Sequence, residues 1–177
     1  MRSDRRVLYT RKSIRDAFLS LLESTPLEQI TVKEICSLAD INRATFYRNY
    51  TDLYALYDAI EEDILNAAFP NQMKSFNILE FLLLVQEYRA FYMEVFRKRN
   101  ISPSSMRIIE RFREYMRIAY GTGCDPQQFE MHLRYAVYGV GGLLWDWIEN
   151  DCRDDAAQLA TQIERITNHL FRNCSES

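Results

Sequence analysis

Apolar residues recur along this chain at intervals of three and four, the period of helices with one buried face. The first stripe, Ile14, Ala17, Phe18, Leu21 and Leu22, predicts a helix opened by Thr10 or Ser13 and preceded by a flexible basic arm over residues 1–9. Ser24-Thr25-Pro26 ends it, because proline disfavours helical geometry in the residue before it. Leu27 and Ile30 are expected to bury themselves between the first and second helices. Thr31-Val32-Lys33-Glu34 then has the S/T-x-x-E spacing of a capping box, and Ile35, Leu38 and Ala39 fall on one face of the helix it opens. Asp40-Ile41-Asn42 interrupts the pattern, and Asn42 caps a third helix through its side-chain oxygen. From that helix Phe46 and Tyr50 point one way, as core, and Arg43, Thr45, Tyr47 and Arg48 largely the other. Thr51 or Asp52 caps a fourth, with Leu53, Leu56, Tyr57, Ile60, Ile64 and Leu65 at helical spacing; Phe69-Pro70-Asn71 closes it.

Beyond this point the predicted helices lengthen. One is expected from Phe76 to the cationic Arg97-Lys98-Arg99, which suits a helix C-terminus. Ser102-Pro103 starts another, which stops at Gly121-Thr122-Gly123. Asp125-Pro126 opens a long helix to about Glu149, and a last one runs from about Asp154 to Phe171. Only five glycines and four prolines interrupt the chain, too few for the turns of an all-β protein. The expected fold is therefore all-α. A helix-turn-helix domain over 1–55 is followed by a helical-bundle domain over 56–177, the boundary lying in the fourth helix.

Composition changes this picture in one respect. At 177 residues, 47% hydrophobic and 27% charged, the chain is ordinary for a globular protein. Its net charge of −3 is not that of a protein that binds DNA over its whole surface, but the charge is uneven. Residues 1–57 carry nine basic and seven acidic side chains, a net of +2, and the remainder 13 basic and 18 acidic, a net of −5. Arg2, Arg5, Arg6, Arg11, Lys12 and Arg15 cluster ahead of the helix-turn-helix. A basic head on an acidic body fits a DNA-binding domain joined to a domain with another task.

Other chemistries find little support. Cys36, Cys124, Cys152 and Cys174 are far apart, and with only His132 and His169 besides, no metal site is expected; the thiols are expected to be reduced. No nucleophile–base pair is discernible, so neither a catalytic residue nor a cofactor is expected, and the chain is not expected to be an enzyme. Gly139-Val140-Gly141-Gly142 follows no strand and is not a dinucleotide fingerprint; small residues there are expected to let another helix approach. No secretory leader is expected from Arg2 to Arg6, and the apolar stretch Tyr135 to Trp145 falls short of the roughly 20 residues that span a bilayer. A cytoplasmic protein with no membrane partner is the expectation.

A short second helix that is apolar on one side and bears Arg, Thr and Tyr on the other suits a reader of the major groove. The string ITVKEICSLADINRATFYRNYTDLYALYDAI closely resembles the N-terminal domain of TetR-family transcriptional regulators, over about residues 8–65. The later YGVGGLLWDWIEN and the final amphipathic helix are compatible with the dimer-forming end of shorter family members. The resemblance implies a homodimer on a pseudo-palindromic double-stranded DNA operator, usually a repressor released by a small molecule. It places Thr31 and Lys33 near phosphate or a base edge, Arg43 and Thr45 against bases, Tyr47 on a phosphate, and Arg48 and Asn49 on the backbone. One departure stands out. Where most members place a lysine early in the fourth helix, this chain has Leu53, so a phosphate contact is expected to be missing and the N-terminal arginines to substitute for it.

In the second domain, Tyr88, Tyr92, Phe112, Tyr115 and Met116, with Tyr135 and Tyr138, are candidates to line an apolar effector pocket. Such stripes are equally what a plain core requires. Leu143 and Trp147, with Leu159, Ile163, Ile166 and Leu170 on the final helix, are candidates for a two-fold interface of four helices. The expected function is a TetR-type dimeric repressor released by a small apolar or aromatic effector. The alternative is a TetR-like co-activator or DNA-associated adaptor that works through a protein partner.

Overall fold

A computed structural model describes residues 2–69, 76–97, 103–121 and 124–172. Among these residues the regular structure is helical, with no strand. The chain divides into two compact units, Met1–Ile64 and Leu65–Ser177.

The first unit holds α1 (Arg2–Leu22), a 3-10 turn (Leu27–Gln29), α2 (Val32–Leu38), α3 (Arg43–Asn49) and the larger part of α4 (Leu53–Ala68). Helix α1 starts at Arg2, so the arm expected to be flexible is helical. Nothing in Arg2 to Tyr9 is a glycine or proline, and arginine and leucine are good helix formers. Thr10 lies inside this helix rather than opening it, its hydroxyl donating to the Arg6 carbonyl at 2.8 Å. Ile14, Phe18, Leu27, Ile35, Phe46 and Leu56 are buried together with Ile30 and Ile60. Each such side chain taken from water contributes about 1.5–3 kcal/mol, which lets two seven-residue helices hold a fixed place.

Two local devices fix the ends of α2. The Thr31 hydroxyl accepts from the Glu34 amide at 3.3 Å, and the Glu34 carboxylate accepts from the Thr31 amide at 2.8 Å, completing the capping box. At the other end of α2, Asp40 adopts the left-handed region (φ 51°), and the Ile41 amide reaches back to the Cys36 carbonyl at 3.0 Å. That six-to-one bond closes a helix C-terminus; aspartate tolerates the backbone geometry better than most residues with a Cβ. Leu38 departs from expectation: it is 54% exposed, because the buried side of this short helix is Ile35 with Cys36. Asn42 caps α3 by accepting from the Thr45 amide at 2.8 Å, and Asp52 caps α4 by accepting from the Ala55 amide at 2.8 Å.

The second unit contains α5 (Ile78–Glu87), α6 (Arg89–Arg97), α7 (Pro103–Tyr120), α8 (Pro126–Glu149) and α9 (Ala156–Arg172). The single helix expected from Phe76 to Arg99 is two. Tyr88 leaves helical geometry (φ −102°, ψ 30°), and the neighbouring Arg89 is anchored elsewhere. Its Nε donates to the Ile148 carbonyl at 3.2 Å and its guanidinium pairs with Asp151, so a cation sits at the C-terminus of α8, where the helix dipole favours one. Asp125 caps α8 through bonds from the Gln127 and Gln128 amides at 3.0 and 2.9 Å. Gly121 ends α7 where an added Cβ would lie 2.4 Å from the Arg117 carbonyl oxygen. Met116 of α7, Phe129, Leu133 and Ala136 of α8 and Phe171 of α9 form one core cluster. The expected boundary residues Pro70, Asn71, Lys98, Arg99, Ser102, Thr122 and Gly123 lie outside the described residues.

Candidate nucleic-acid interface

Helix α3 owes its outward face to what it buries. Phe46 is fully buried, and its ring meets Tyr47 edge-on at 5.5 Å and Tyr50 at 5.9 Å. With that side committed, Arg43 and Arg48 are exposed and Tyr47 is 52% exposed. Tyr50 is half-buried, and its phenol is pushed up by burial against the opposing effect of Arg11 and Arg15.

The seven candidate residues are not equally available. Arg43 and Tyr47 point outward as expected. Thr45 is only half-exposed, and its hydroxyl accepts from Arg48 Nη2 at 2.9 Å while its carbonyl accepts from Asn49 Nδ2 at 2.9 Å. Arg48 is thereby steered back along its own helix. Asn49 also accepts from Arg11 Nε at 3.4 Å, joining α1 to the end of α3. Thr31 and Lys33 are both exposed at the start of α2. The Thr31 hydroxyl and amide are already bonded to Glu34, leaving the amides of Val32 and Lys33, which as first residues of a helix have no acceptor within it. Hydrogen bonds from Thr31 hold the Glu34 carboxyl below its usual range.

The contribution of α1 is only half visible in the residue order. Arg6, Thr10 and Arg11 of α1 and Asn42, Thr45 and Arg48 around α3 share the walls of an open groove of about 1,100 Å³. Because α1 is helical through this stretch, Arg6 and Arg11 are displayed at helical positions beside α3. Arg15 is otherwise engaged, paired with Asp63 of α4. Leu53 is half-buried, an apolar packing residue at the position where the resemblance leads one to expect a lysine.

In the second unit an apolar cavity of about 350 Å³ lies among α5, α6, α7 and α8. Of the seven pocket candidates, Tyr92, Phe112 and Tyr138 line it; Tyr115 and Met116 line a neighbouring cavity that also includes Phe112, and Tyr88 and Tyr135 line neither. Tyr135 instead faces an open groove with Ile166 and Leu170. Phe69, Phe76, Phe81 and Phe96 line the first cavity as well. Their only signal in the sequence is aromatic density. Gly141 and Gly142 belong to its wall, and a Cβ added at either, or at Gly139, meets nothing within 4 Å. No other part of the described chain approaches these glycines closely.

The six interface candidates separate by burial. Trp147 and Ile163 are buried within the chain, the Trp147 Nε1 donating to the Asp154 carbonyl at 2.9 Å. Leu159 and Leu170 are half-buried, whereas Leu143 and Ile166 are exposed. Met131, Tyr135 and Tyr138, at four- and three-residue spacing on α8, are 70%, 66% and 74% exposed. Among the described residues no group of acids, histidines and cysteines could hold a metal ion, and no helix is long and apolar enough to cross a membrane. Cys36 and Cys152 are free and buried, and burial pushes both thiols up. Cys124 is disulfide-bonded, so the expectation of reduced thiols throughout does not hold there.

Comparison with known proteins agrees with this architecture. Among solved structures, the chain resembles a "Dihydroxyacetone kinase operon activator DhaS", with a TM-score of 0.73 at 20% identity, over 93% of this chain and 97% of that one. It also resembles Salmonella enterica GusR, with a TM-score of 0.62 at 20% identity, over 92% and 95% of the two chains. At such identities the likeness is one of fold. No curated protein matches the sequence significantly. A TetR C-terminal family model, described as "Transcriptional regulator C-terminal region", matches residues 75–169. That match spans more than half of the sequence and stands beside a two-helix reader capped at both of its starts, and the chain belongs to the TetR family of transcriptional regulators.

Proposed function

We propose that this regulator is a homodimeric repressor that sits on a pseudo-palindromic operator and leaves it when a small apolar or aromatic molecule enters the second unit. The observation that carries the DNA-reading half is the division of α3: Phe46 is buried, and Arg43 and Tyr47 are left on the outward side. Arg43 reads a base edge, guanine being its best bidentate partner. Tyr47, Lys33 and the free amides at the start of α2 hold phosphates, which set register without reading sequence. Arg6 and Arg11 add positive charge where Leu53 supplies none.

The dimer follows from the unpartnered face of α8. Met131, Tyr135 and Tyr138 form an apolar stripe continued by Gly142 and Leu143 and flanked by Ile166 of α9. A two-fold contact uses the same patch twice, and the open glycines allow the second copy's helix to come close. The 350 Å³ cavity is of the size that receives a small ligand, with an almost wholly apolar wall and Tyr92 and Tyr138 as its hydroxyl-bearing members. The protein would act in the cytoplasm, where its operator lies.

A second reading, an activator or adaptor working through a protein partner, is favoured by one fold neighbour, DhaS, which is itself an operon activator. The two readings part in one experiment. The protein is incubated with its own upstream DNA, and mobility shift is paired with transcription in vitro. A shift that lowers transcription supports repression, a shift that raises it supports the activator, and no specific shift at low salt refutes both.

A further inference from the structure

The apolar cavity has a neighbour of different chemistry. A second cavity, of about 310 Å³, shares the walls Phe76, Ile78, Phe112 and Val140 with the first. Phe76 is the partition: its ring stacks on Phe69 at 5.0 Å and meets Phe81 at 5.7 Å on one side, and meets Tyr115 at 5.5 Å on the other. The second cavity adds Tyr115 and Tyr120 of α7 and Glu164, Thr167 and Asn168 of α9. The Tyr120 hydroxyl donates to Asn168 Oδ1 at 2.5 Å. Burial, then the nearness of Tyr115 and Glu164, push that phenol up, so it stays a neutral donor.

Glu164 is the one acid in this wall, and among the described residues it forms no ion pair. The α7 arginines that face α8 are already committed, Arg113 and Arg117 lying 3.3 and 3.6 Å from Glu130. A carboxylate without a cation, in a cavity it shares with several aromatic rings, is a site for a positive charge. The acidic balance of the chain beyond residue 57 favours the same sign of ligand.

Resting on the effector reading above, we propose that the effector is a cationic amphiphile. Its apolar body occupies the first cavity, past Phe76, and its ammonium group or comparable soft cation sits among Phe112, Tyr115 and Tyr120 against Glu164. A carboxylate-headed ligand meets repulsion at the same place, and a neutral one gains at most a hydrogen bond from Glu164.

Three probes with one body and different heads test this: 4-phenylbutyltrimethylammonium, 4-phenylbutan-1-ol and 4-phenylbutyrate, titrated calorimetrically into the full chain. The ammonium probe should bind about tenfold more tightly than the alcohol, and the carboxylate most weakly. Glu164→Gln, at an exposed position, should abolish that preference by weakening the ammonium probe. Gly141→Leu, which fills open space in the first cavity, should weaken all three. Equal binding of the ammonium and alcohol probes, or a preference that survives Glu164→Gln, overturns the cationic assignment while the cavity stands. Absence of binding by all three, or alcohol binding indifferent to Gly141→Leu, overturns the cavity as the effector site.

Discussion

Arg43 and Arg48 are five residues apart on one short helix, and both are exposed, yet they are not equivalent. The Arg48 guanidinium is bonded to the Thr45 hydroxyl, whereas no such bond within α3 restrains Arg43. The proposed reading therefore gives base discrimination to Arg43 and backbone anchoring to Tyr47. Arg43→Ala should relax sequence preference at one position of each half-site, costing about 1–3 kcal/mol on the preferred sequence and little on others. Tyr47→Phe should weaken binding to all sequences alike, by about 1.5–3 kcal/mol, the worth of one hydrogen bond to a charged group. Fluorescence anisotropy on specific and scrambled duplexes checks both, and equal sequence-independent losses from the two variants contradict the division. The outward set is legible from spacing alone, because Phe46 and Tyr50 fix which way the helix turns. The Thr45–Arg48 bond is not. It depends on rotamers that residue order does not determine.

The elements show where periodicity is informative and where it stops. Capping residues are readable, since Thr31, Asn42 and Asp125 act through their own short side chains on the amides two or three residues ahead. The break at Tyr88 is not: the Arg89 beside it is bonded to the C-terminus of α8, about sixty residues away. Residues 1–9 show the opposite fault: a run of positive charge suggests disorder, although nothing in that stretch breaks a helix. The capping box makes α2 sensitive to both mutation and acid. Thr31→Ala should lower unfolding stability by about 1 kcal/mol. Glu34 has its folded value depressed below 4.5, so its contribution is present above about pH 4.5 and is lost as pH falls through the folded value. Urea unfolding at pH 7 and below pH 4 should therefore show the gap between wild type and Thr31→Ala narrowing in acid; a gap that widens in acid contradicts the assignment.

For the whole molecule, the family and helical architecture are readable from the sequence, but the distribution of work in the second unit is only partly so. Aromatic density announces a cavity without saying which rings line it: Tyr135 and Tyr88 do not, and Phe69, Phe76 and Phe81 do. The strongest apolar stripes of the last two helices point to residues such as Trp147 and Ile163, which the chain buries for itself. An amphipathic pattern identifies a helix face that seeks cover; it does not distinguish cover by the same chain from cover by a second copy. Exposure makes that distinction, and it moves the proposed two-fold contact to Met131, Tyr135 and Tyr138. A dimer built there carries two copies of α3, and two-fold proteins read two-fold sites.

The most direct test of two-fold reading by α3 is selection of bound duplexes by the full-length protein from a random pool, at moderate salt and with competitor DNA. The expected result is enrichment of an inverted repeat whose half-site centres lie about 10 base pairs apart or a multiple of that. Each half-site should carry a guanine whose enrichment disappears with Arg43→Ala. A single asymmetric site, a direct repeat, or no enrichment over the starting pool would contradict it.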